Sequence, residues 1–185
     1  MKVRGDNMHY AQIREIDVAN GEGIRVSLYT QGCHVHCPGC FNEETWDFNK
    51  GKPFTQHEVD TLVNLINKPH IKGFTLLGGE PMSPENKDVI DDLLKQIRER
   101  CPGKDIWVYS SYTWEVLLER RPEALSYMDI LVDGPFIEDL KYASLKFRGS
   151  SNQRIIDVQE SLKNHTVIRH PIYDPDLGED YYGKN

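Results

Sequence analysis

Short apolar runs alternate along the chain with longer segments in which apolar residues recur at helical spacing. Five of these runs are bounded by glycine or polar residues, which is the pattern of buried strands. The predicted strands lie at residues 24–30, 74–77, 106–109, 129–132 and 154–158. The first of them leads directly into a loop that contains three cysteines.

Helices are predicted between these strands. Residues 55–58, Thr-Gln-His-Glu, form a capping-box sequence, and apolar residues follow it at helical spacing. Ser83-Pro84 is predicted to open a second helix, which carries one apolar stripe. Shorter helices are predicted over residues 114–120 and from about Gln159. Each predicted helix lies between two predicted strands or follows the last one.

Alternation of strands and helices predicts an α/β fold with a mainly parallel sheet. At 185 residues the chain falls short of the roughly 250 residues of a closed eight-fold barrel. We therefore expect an open, partial β/α barrel formed by a single domain over residues 1–173. Residues 174–185 are mostly acidic residues, tyrosines and glycines, and we expect them to form a polar, frayed tail.

Composition narrows the possible partners and locations. The formal net charge is −7, whereas general nucleic-acid binding needs a basic surface, so we expect no nucleic-acid partner. No apolar stretch approaches the length of a membrane span, and residues 1–10 contain no apolar run, so neither a membrane partner nor export is expected. Three of the four cysteines are clustered, which favours a reducing cytoplasm over a disulfide framework.

Cys33, Cys37 and Cys40 can converge on one inorganic centre, because their C-x3-C-x2-C spacing places three thiolates in one loop. A [4Fe–4S] cluster held by three thiolates keeps one iron open, as a catalytic centre requires. The alternative is a zinc site in which His34 or His36 supplies the fourth ligand. The sequence therefore predicts a metal centre and favours the cluster.

Several residues suited to chemistry follow the ends of the predicted strands. Ligands of parallel α/β folds bind at the carboxyl ends of the strands, so we expect these residues to share one rim. They are the cysteine loop, Gly78-Gly-Glu-Pro81, Ser110-Ser111-Tyr112 and Asp133-Gly134. Ser110 is a candidate for a hydroxyl contact to a ligand, and Asp133 for either a ribose contact or a turn.

The Gly78-Gly-Glu-Pro81 segment is a candidate ligand-binding turn. Gly78 and Gly79 let the backbone approach a ligand closely and expose its peptide groups. Glu80 adds a carboxylate and Pro81 fixes the exit of the turn, so that the segment could hold an ammonium group. The alternative is a turn that only joins a strand to a helix.

The cysteine loop and the Gly-Gly-Glu-Pro turn together resemble the radical S-adenosylmethionine superfamily. The chain also resembles one branch of it, the activating proteins of anaerobic (class III) ribonucleoside-triphosphate reductases. This second likeness is carried by Asn20-Gly-Glu-Gly-Ile-Arg-Val-Ser-Leu28, Cys37-Pro-Gly-Cys-Phe-Asn-Glu-Glu-Thr-Trp46, Ser111-Tyr-Thr-Trp-Glu115, Val132-Asp-Gly-Pro-Phe136 and Arg148-Gly-Ser-Ser-Asn-Gln-Arg154.

The resemblance implies an enzyme whose [4Fe–4S] cluster reductively cleaves S-adenosylmethionine. The resulting 5′-deoxyadenosyl radical would remove a hydrogen atom from a glycine of the reductase, and a flavodoxin- or ferredoxin-like protein would supply the electron. It implies cluster ligation by the three cysteines and a partial barrel of the radical S-adenosylmethionine type. The implied cofactor contacts are Gly39, Phe41, Gly78, Gly79, Glu80, Pro81 and Ser110.

The sequence also allows other functions. The chain could activate another glycyl-radical enzyme, act on a small molecule, or be a zinc-binding interaction module without catalysis. One departure from the superfamily concerns the residue before the third cysteine, which is often aromatic near the adenine and here is Gly39. Backbone contacts around residues 39–41 are expected to replace that side chain.

The stretch 141–154 contains four basic residues and no acidic one, unlike the rest of this acidic chain. We expect it to lie near the active rim, where cationic side chains could steer an acidic partner. The alternative is a solvated loop, or arginines that stabilise the fold internally.

Overall fold

A computed structural model of the protein describes residues 8–175. Within them, seven strands form one sheet, and five α-helices and three short 3-10 turns lie between these strands or follow the last one. The strands are β1 His9–Asp17, β2 Arg25–Thr30, β3 Lys52–Pro53, β4 Gly73–Gly78, β5 Asp105–Ser110, β6 Ile130–Asp133 and β7 Arg154–Asp157. The helices are α1 Gln56–Ile66, α2 Lys87–Arg100, α3 Trp114–Arg120, α4 Pro122–Tyr127 and α5 Val158–Asn164, and the 3-10 turns are Glu43–Thr45, Pro84–Asn86 and Glu138–Leu140.

The sheet has the order β3-β1-β2-β4-β5-β6-β7. Strands β2, β4, β5 and β6 run parallel, so the predicted α/β class and the parallel centre of the sheet are confirmed. Both edges are antiparallel, with β1 between β2 and β3 and with β7 beside β6. The segment 134–153 that joins β6 to β7 contains only one 3-10 turn and no crossover helix, which accounts for the reversed direction of β7.

Strand β1 and helix α4 were not predicted from the sequence. Only Tyr10 and Asp17 are buried in β1, so the strand lacks the apolar run that identifies the central strands. It forms because its backbone pairs with β2 over most of its length. The capping box of α1 is observed as predicted, with Thr55 and Glu58 bonded reciprocally to backbone N–H groups.

The two faces of the sheet have different roles. One face packs against the helices in the main hydrophobic core, to which β2 contributes Val26 and Leu28. The other face, here called the cavity face, carries Trp107 and Tyr109 of β5. Phe147, from the segment after β6, covers this face, because its ring packs edge-on against Trp107 and its carbonyl accepts a 2.7 Å hydrogen bond from the Tyr109 hydroxyl.

Arg25 closes the cavity face at the amino ends of the strands. The side chain is fully buried, pairs with Asp105 at 2.5 Å, and donates to Thr75 Oγ1 at 2.7 Å. Its guanidinium also lies over the Trp107 ring. A buried charge needs such a complete set of partners. Ligand space is therefore left at the opposite, carboxyl ends of the strands.

Asp174, where the predicted tail begins, belongs to the folded domain. It is fully buried, pairs with Arg148 at 2.7 Å and accepts the N–H of Ile155 at 2.9 Å. Residues 176–185 of the predicted tail lie outside the described residues, so that part stays a prediction. Among residues 8–175, no helix is long and apolar enough to cross a bilayer.

Candidate functional site

A cavity of about 570 Å³ opens at the carboxyl ends of the central strands. The chain leaves β2, β4, β5 and β6 at this edge, and each following loop contributes to the wall. The sequence prediction that these loops share one rim is therefore confirmed. The predicted site residues that line the cavity are Cys33, Cys37, Cys40, Phe41, Gly78, Gly79, Glu80 and Ser110.

The cysteine loop is held against the rim by its backbone. Cys33 is buried, and its N–H donates to the carbonyl of Trp46 at 3.0 Å. Cys40 N–H donates to the Cys37 carbonyl at 3.1 Å, which makes a tight turn between the second and third thiols. Burial raises the pKa of the Cys33 thiol, opposed by backbone hydrogen bonds from His36 and Val35. A bound metal centre would reverse that preference, because metal-bound thiols are deprotonated.

The three thiols fit an iron–sulfur cluster, because they come from one short loop and line one cavity. Among residues 8–175, no three His, Cys, Asp or Glu side chains converge closely enough to hold one ion. The three thiols instead surround a shared cavity, as separate irons of one cluster would require. His34 Nε2 lies 2.6 Å from Glu85, and the His36 ring stacks on Trp46 at 4.2 Å, so both histidines are engaged with other side chains. The zinc alternative gains no support from this geometry.

The Gly78-Gly79 turn packs directly on the cysteine loop. A Cβ on Gly78, whose φ is +119°, would stand 2.4 Å from the amide nitrogen of Thr30. A Cβ on Gly79 would stand 2.4 Å from the carbonyl oxygen of Gly32. Glu80 N–H donates to the same Gly32 carbonyl at 2.7 Å. The glycines therefore serve first to bring the two loops together, which the sequence did not indicate.

Glu80 is the buried carboxylate of the rim. Its Oε1 accepts hydrogen bonds from Met82 N–H at 2.9 Å and Ser110 Oγ at 2.8 Å. Its Oε2 accepts from both the N–H and the hydroxyl of Ser111. Burial raises the pKa of Glu80, and these donors oppose that effect. The predicted roles of Glu80 and Ser110 in cofactor binding thus coexist with a contact between the two residues.

Gly39 and Phe41 lie on either side of the third cysteine. Phe41 is 59% exposed at the mouth of the cavity, where its ring contacts Phe136 and Lys141 Nζ lies 4.7 Å from its centre. A Cβ on Gly39, whose φ is +70°, would stand 2.7 Å from the carboxyl carbon of Glu138. The Glu138 side chain thus occupies the space beside Gly39.

Pro81 is buried behind the turn, and neither it nor Gly39 lines the cavity. The roles of all predicted cofactor contacts stay predictions. Asp133 has a structural role, because it is buried and accepts hydrogen bonds from Trp114 N–H at 2.7 Å and Arg154 Nε at 3.0 Å. It therefore caps the amino end of α3, where the side chain of Thr113, the residue before the helix, makes no capping hydrogen bond.

Sequence reasoning missed the β1 side of the cavity. Arg14, Asn20 and Tyr29 line this wall, with the Arg14 guanidinium 4.6 Å from the centre of the Tyr29 ring. Asn20 donates to the Tyr29 hydroxyl at 3.0 Å. Nothing in the sequence placed Arg14 at the cavity, because β1 itself was not predicted.

The basic stretch divides into two groups. Arg148 is buried and pairs with Asp174, and Arg154 pairs with Asp133 and Glu115, so these arginines stabilise the fold internally. Lys141 and Lys146 are exposed. Lys141 lines the main cavity, whereas Lys146 lines a separate cavity beside Glu22 and Tyr173.

Comparison with known proteins gives consistent matches. A family model described as a 4Fe-4S single cluster domain matches residues 19–156. The anaerobic ribonucleoside-triphosphate reductase-activating protein of Escherichia coli (strain K12) is 44% identical over 148 residues, which cover 79% of this chain and 96% of that protein. The protein of the same name from Enterobacteria phage T4 is 37% identical over 158 residues, 85% of this chain and 99% of that protein.

Among solved structures, the crystal structure of QueE from Escherichia coli matches with a TM-score of 0.36 and 17% identity, over 61% of this chain and 54% of that one. The sequence matches, by contrast, extend over nearly the whole of each relative, and the residues matched by the family model, 19–156, include the cysteine loop and the rim turns. The chain therefore belongs to the family of anaerobic ribonucleoside-triphosphate reductase-activating proteins.

Proposed function

We propose that this radical S-adenosylmethionine enzyme activates the glycyl-radical subunit of an anaerobic ribonucleoside-triphosphate reductase. The observation that carries the proposal is the shared cavity of three thiols and the Gly78–Glu80 turn. When bound, the cluster and S-adenosylmethionine supply one-electron cleavage to methionine and a 5′-deoxyadenosyl radical, which removes a hydrogen atom from a glycine Cα of the reductase. Cys33, Cys37 and Cys40 hold the cluster in this proposal.

In this proposal, the chain's own residues bind and orient S-adenosylmethionine. The peptide groups of Gly78 and Gly79 face the cavity beside the cysteine loop and would hold the amino group of S-adenosylmethionine. Glu80, Pro81 and Ser110 would fix the shape of that turn. The backbone of residues 39–41, with the Phe41 ring, would border the adenine. The cavity face and its covering segment support a partial barrel of the radical S-adenosylmethionine type.

The mouth of the cavity is suited to a macromolecular substrate. Val35 and Phe41 of the cysteine loop line this opening and are exposed apolar side chains. Exposed apolar side chains gathered at one opening are typical of an interaction surface. The reductase would cover this opening and exclude water when it presents its glycine. Lys141 would steer an acidic partner, either the reductase or a flavodoxin- or ferredoxin-like donor, in a reducing cytoplasm.

Anaerobic incubation with the reductase subunit, a reductant and S-adenosylmethionine tests the proposal. We expect electron paramagnetic resonance to detect a glycyl radical, which is lost when Cys37→Ala replaces the parent protein. If methionine is released but no glycyl radical forms on this reductase, the substrate is another glycyl-radical enzyme or a small molecule. The absence of both products from a cluster-loaded protein would contradict the activity itself.

A further inference from the structure

Glu80 connects two loops of the rim that are distant in sequence. Its backbone N–H donates to Gly32 in the cysteine loop, and its carboxylate accepts from residues at the end of β5. The turn is therefore fixed on the β2 side by backbone bonds and on the β5 side by one side chain. Whatever fixes that carboxylate also fixes the peptide groups of the turn.

Ser111 is the main partner of Glu80 on the β5 side. Both its N–H, at 2.7 Å, and its hydroxyl donate to Oε2, whereas Ser110 and Met82 each give one donor to Oε1. A carboxylate has about four acceptor positions. The four donors therefore satisfy Glu80 fully, and two of them come from Ser111.

We propose that Ser111 is a positioning residue, which holds the Gly78–Glu80 turn in the shape that accepts S-adenosylmethionine. This inference rests on the proposed function of the cavity and goes beyond it, because Ser111 need not touch the cofactor. Glu80 is 1% exposed and cannot exchange its partners for water without opening the rim. Loss of the hydroxyl leaves one donor on Oε2, the Ser111 N–H, and so weakens the attachment of the turn on the β5 side.

The first test measures cofactor binding without the reductase. In Ser111→Ala we expect the dissociation constant for S-adenosylmethionine to rise about tenfold, as loss of such supporting contacts typically causes. The constant is read by titration of the reduced cluster's paramagnetic spectrum. Iron content and the cleavage rate at saturating S-adenosylmethionine should stay within twofold of the parent. Ser111→Thr, which keeps the hydroxyl, should restore the parent affinity.

Ser126→Ala is the matched control, because its hydroxyl donates to the Glu123 carbonyl within α4, away from the rim. It should bind S-adenosylmethionine like the parent. Unchanged affinity in cluster-loaded Ser111→Ala would overturn the proposal, and so would a fall in the saturating rate at constant affinity. Since no reductase is present, failure of reductase activation does not affect this result.

A second measurement uses the metal-free protein, so that it applies even where the variant does not load a cluster. Hydrogen exchange at residues 78–82 should be faster in Ser111→Ala than in the parent and in Ser126→Ala. Glu80→Gln, which places an amide opposite the Ser111 donors, should accelerate exchange in the same segment. Parent-like exchange in folded Ser111→Ala would contradict the positioning role.

Discussion

The backbones of Gly79 and Gly32 lie in direct contact, so that a Cβ on Gly79 would stand 2.4 Å from the Gly32 carbonyl oxygen and 2.8 Å from that of Thr45. Both obstructing atoms belong to backbone that is itself hydrogen-bonded, because Gly32 N–H donates to Thr45 at 2.7 Å. Neither atom can move without distorting the cysteine loop. The turn and the cluster loop are therefore one packed unit.

This contact predicts that Gly79→Ala disturbs cluster loading as well as cofactor binding. We expect a loss of about 1–3 kcal/mol in the free energy of unfolding, as for other overpacked sites. Iron bound after anaerobic reconstitution should fall in parallel. Gly103→Ala is the control, because Gly103 has a φ of +77° but nothing within 4 Å of the position that a Cβ would take. It should cost about 1 kcal/mol and keep the cluster. A Gly79→Ala protein with full iron and stability would refute the packing argument.

Removal of single thiols tests the cluster ligands. Cys33→Ala, Cys37→Ala and Cys40→Ala should each lose most bound iron and all cleavage of S-adenosylmethionine. The reason is that the cluster needs all three thiolates that line the cavity. Cys101→Ala should keep both, since Cys101 is buried in the core between the helices and the sheet. Iron and sulfide analysis, about four of each per chain in the parent, gives the measurement. Loss of iron from Cys101→Ala would indicate a fourth cysteine ligand.

The ion pair between Glu115 and Arg154 should make the stability of the fold depend on pH in acid. The hydrogen bonds from Arg154 lower the pKa of Glu115 from its ordinary 4.5 to about 2. A lowered pKa means that the ionised carboxylate stabilises the folded state above pH 4.5 and that this contribution is lost as the pH falls towards 2. The Glu115 side chain is 60% exposed, so solvent screening limits the effect to about 1 kcal/mol or less.

Urea unfolding of the metal-free protein measures this effect. Glu115→Gln should be less stable than the parent at pH 7, and the difference should shrink between pH 4.5 and pH 2. Carboxylates that do not contact Arg154 titrate equally in both proteins and cancel in the comparison. A difference that grows on acidification would have the wrong sign for this ion pair.

The two exposed lysines of the basic stretch, Lys141 and Lys146, are expected to guide the association of a protein partner. Lys141→Glu combined with Lys146→Glu should slow glycyl-radical formation about tenfold at low salt and weaken its salt dependence, because exposed charges act mainly on association. Cluster content should not change, and the rates are compared at saturating S-adenosylmethionine because Lys141 also lines the cavity. Electron paramagnetic resonance time courses at two ionic strengths provide the measurement.

The control changes the net charge by the same amount at a different place on the surface. Lys68 and Lys72 are exposed and precede β4, at the end of the sheet opposite the cavity. Lys68→Glu combined with Lys72→Glu should activate the reductase at the parent rate. Equal rates for both double variants would mean that neither Lys141 nor Lys146 guides a partner.

Local patterns in the sequence were enough to predict the central strands, the long helices and the rim that holds the cysteine loop. Each of these follows from residues close together in the chain: an apolar run, a helical stripe, or three cysteines within eight residues. Strand β1 could not be predicted in this way, because this mostly polar strand forms by backbone pairing with β2 and β3 and not by burying its own side chains. Its cavity residue Arg14 was missed for the same reason.

The contacts of the polar rim residues, by contrast, depend on the tertiary structure. The sequence assigned Glu80 and Ser110 to a ligand, whereas folding places their side chains 2.8 Å apart across 30 residues of chain. It likewise pairs Arg148 with Asp174 and leaves Lys141 exposed. Hydrogen-bond partners depend on which strands become neighbours, and local periodicity does not encode that information. Residue types and their order thus set the chemistry available at the rim, and packing selected the contacts that each group makes.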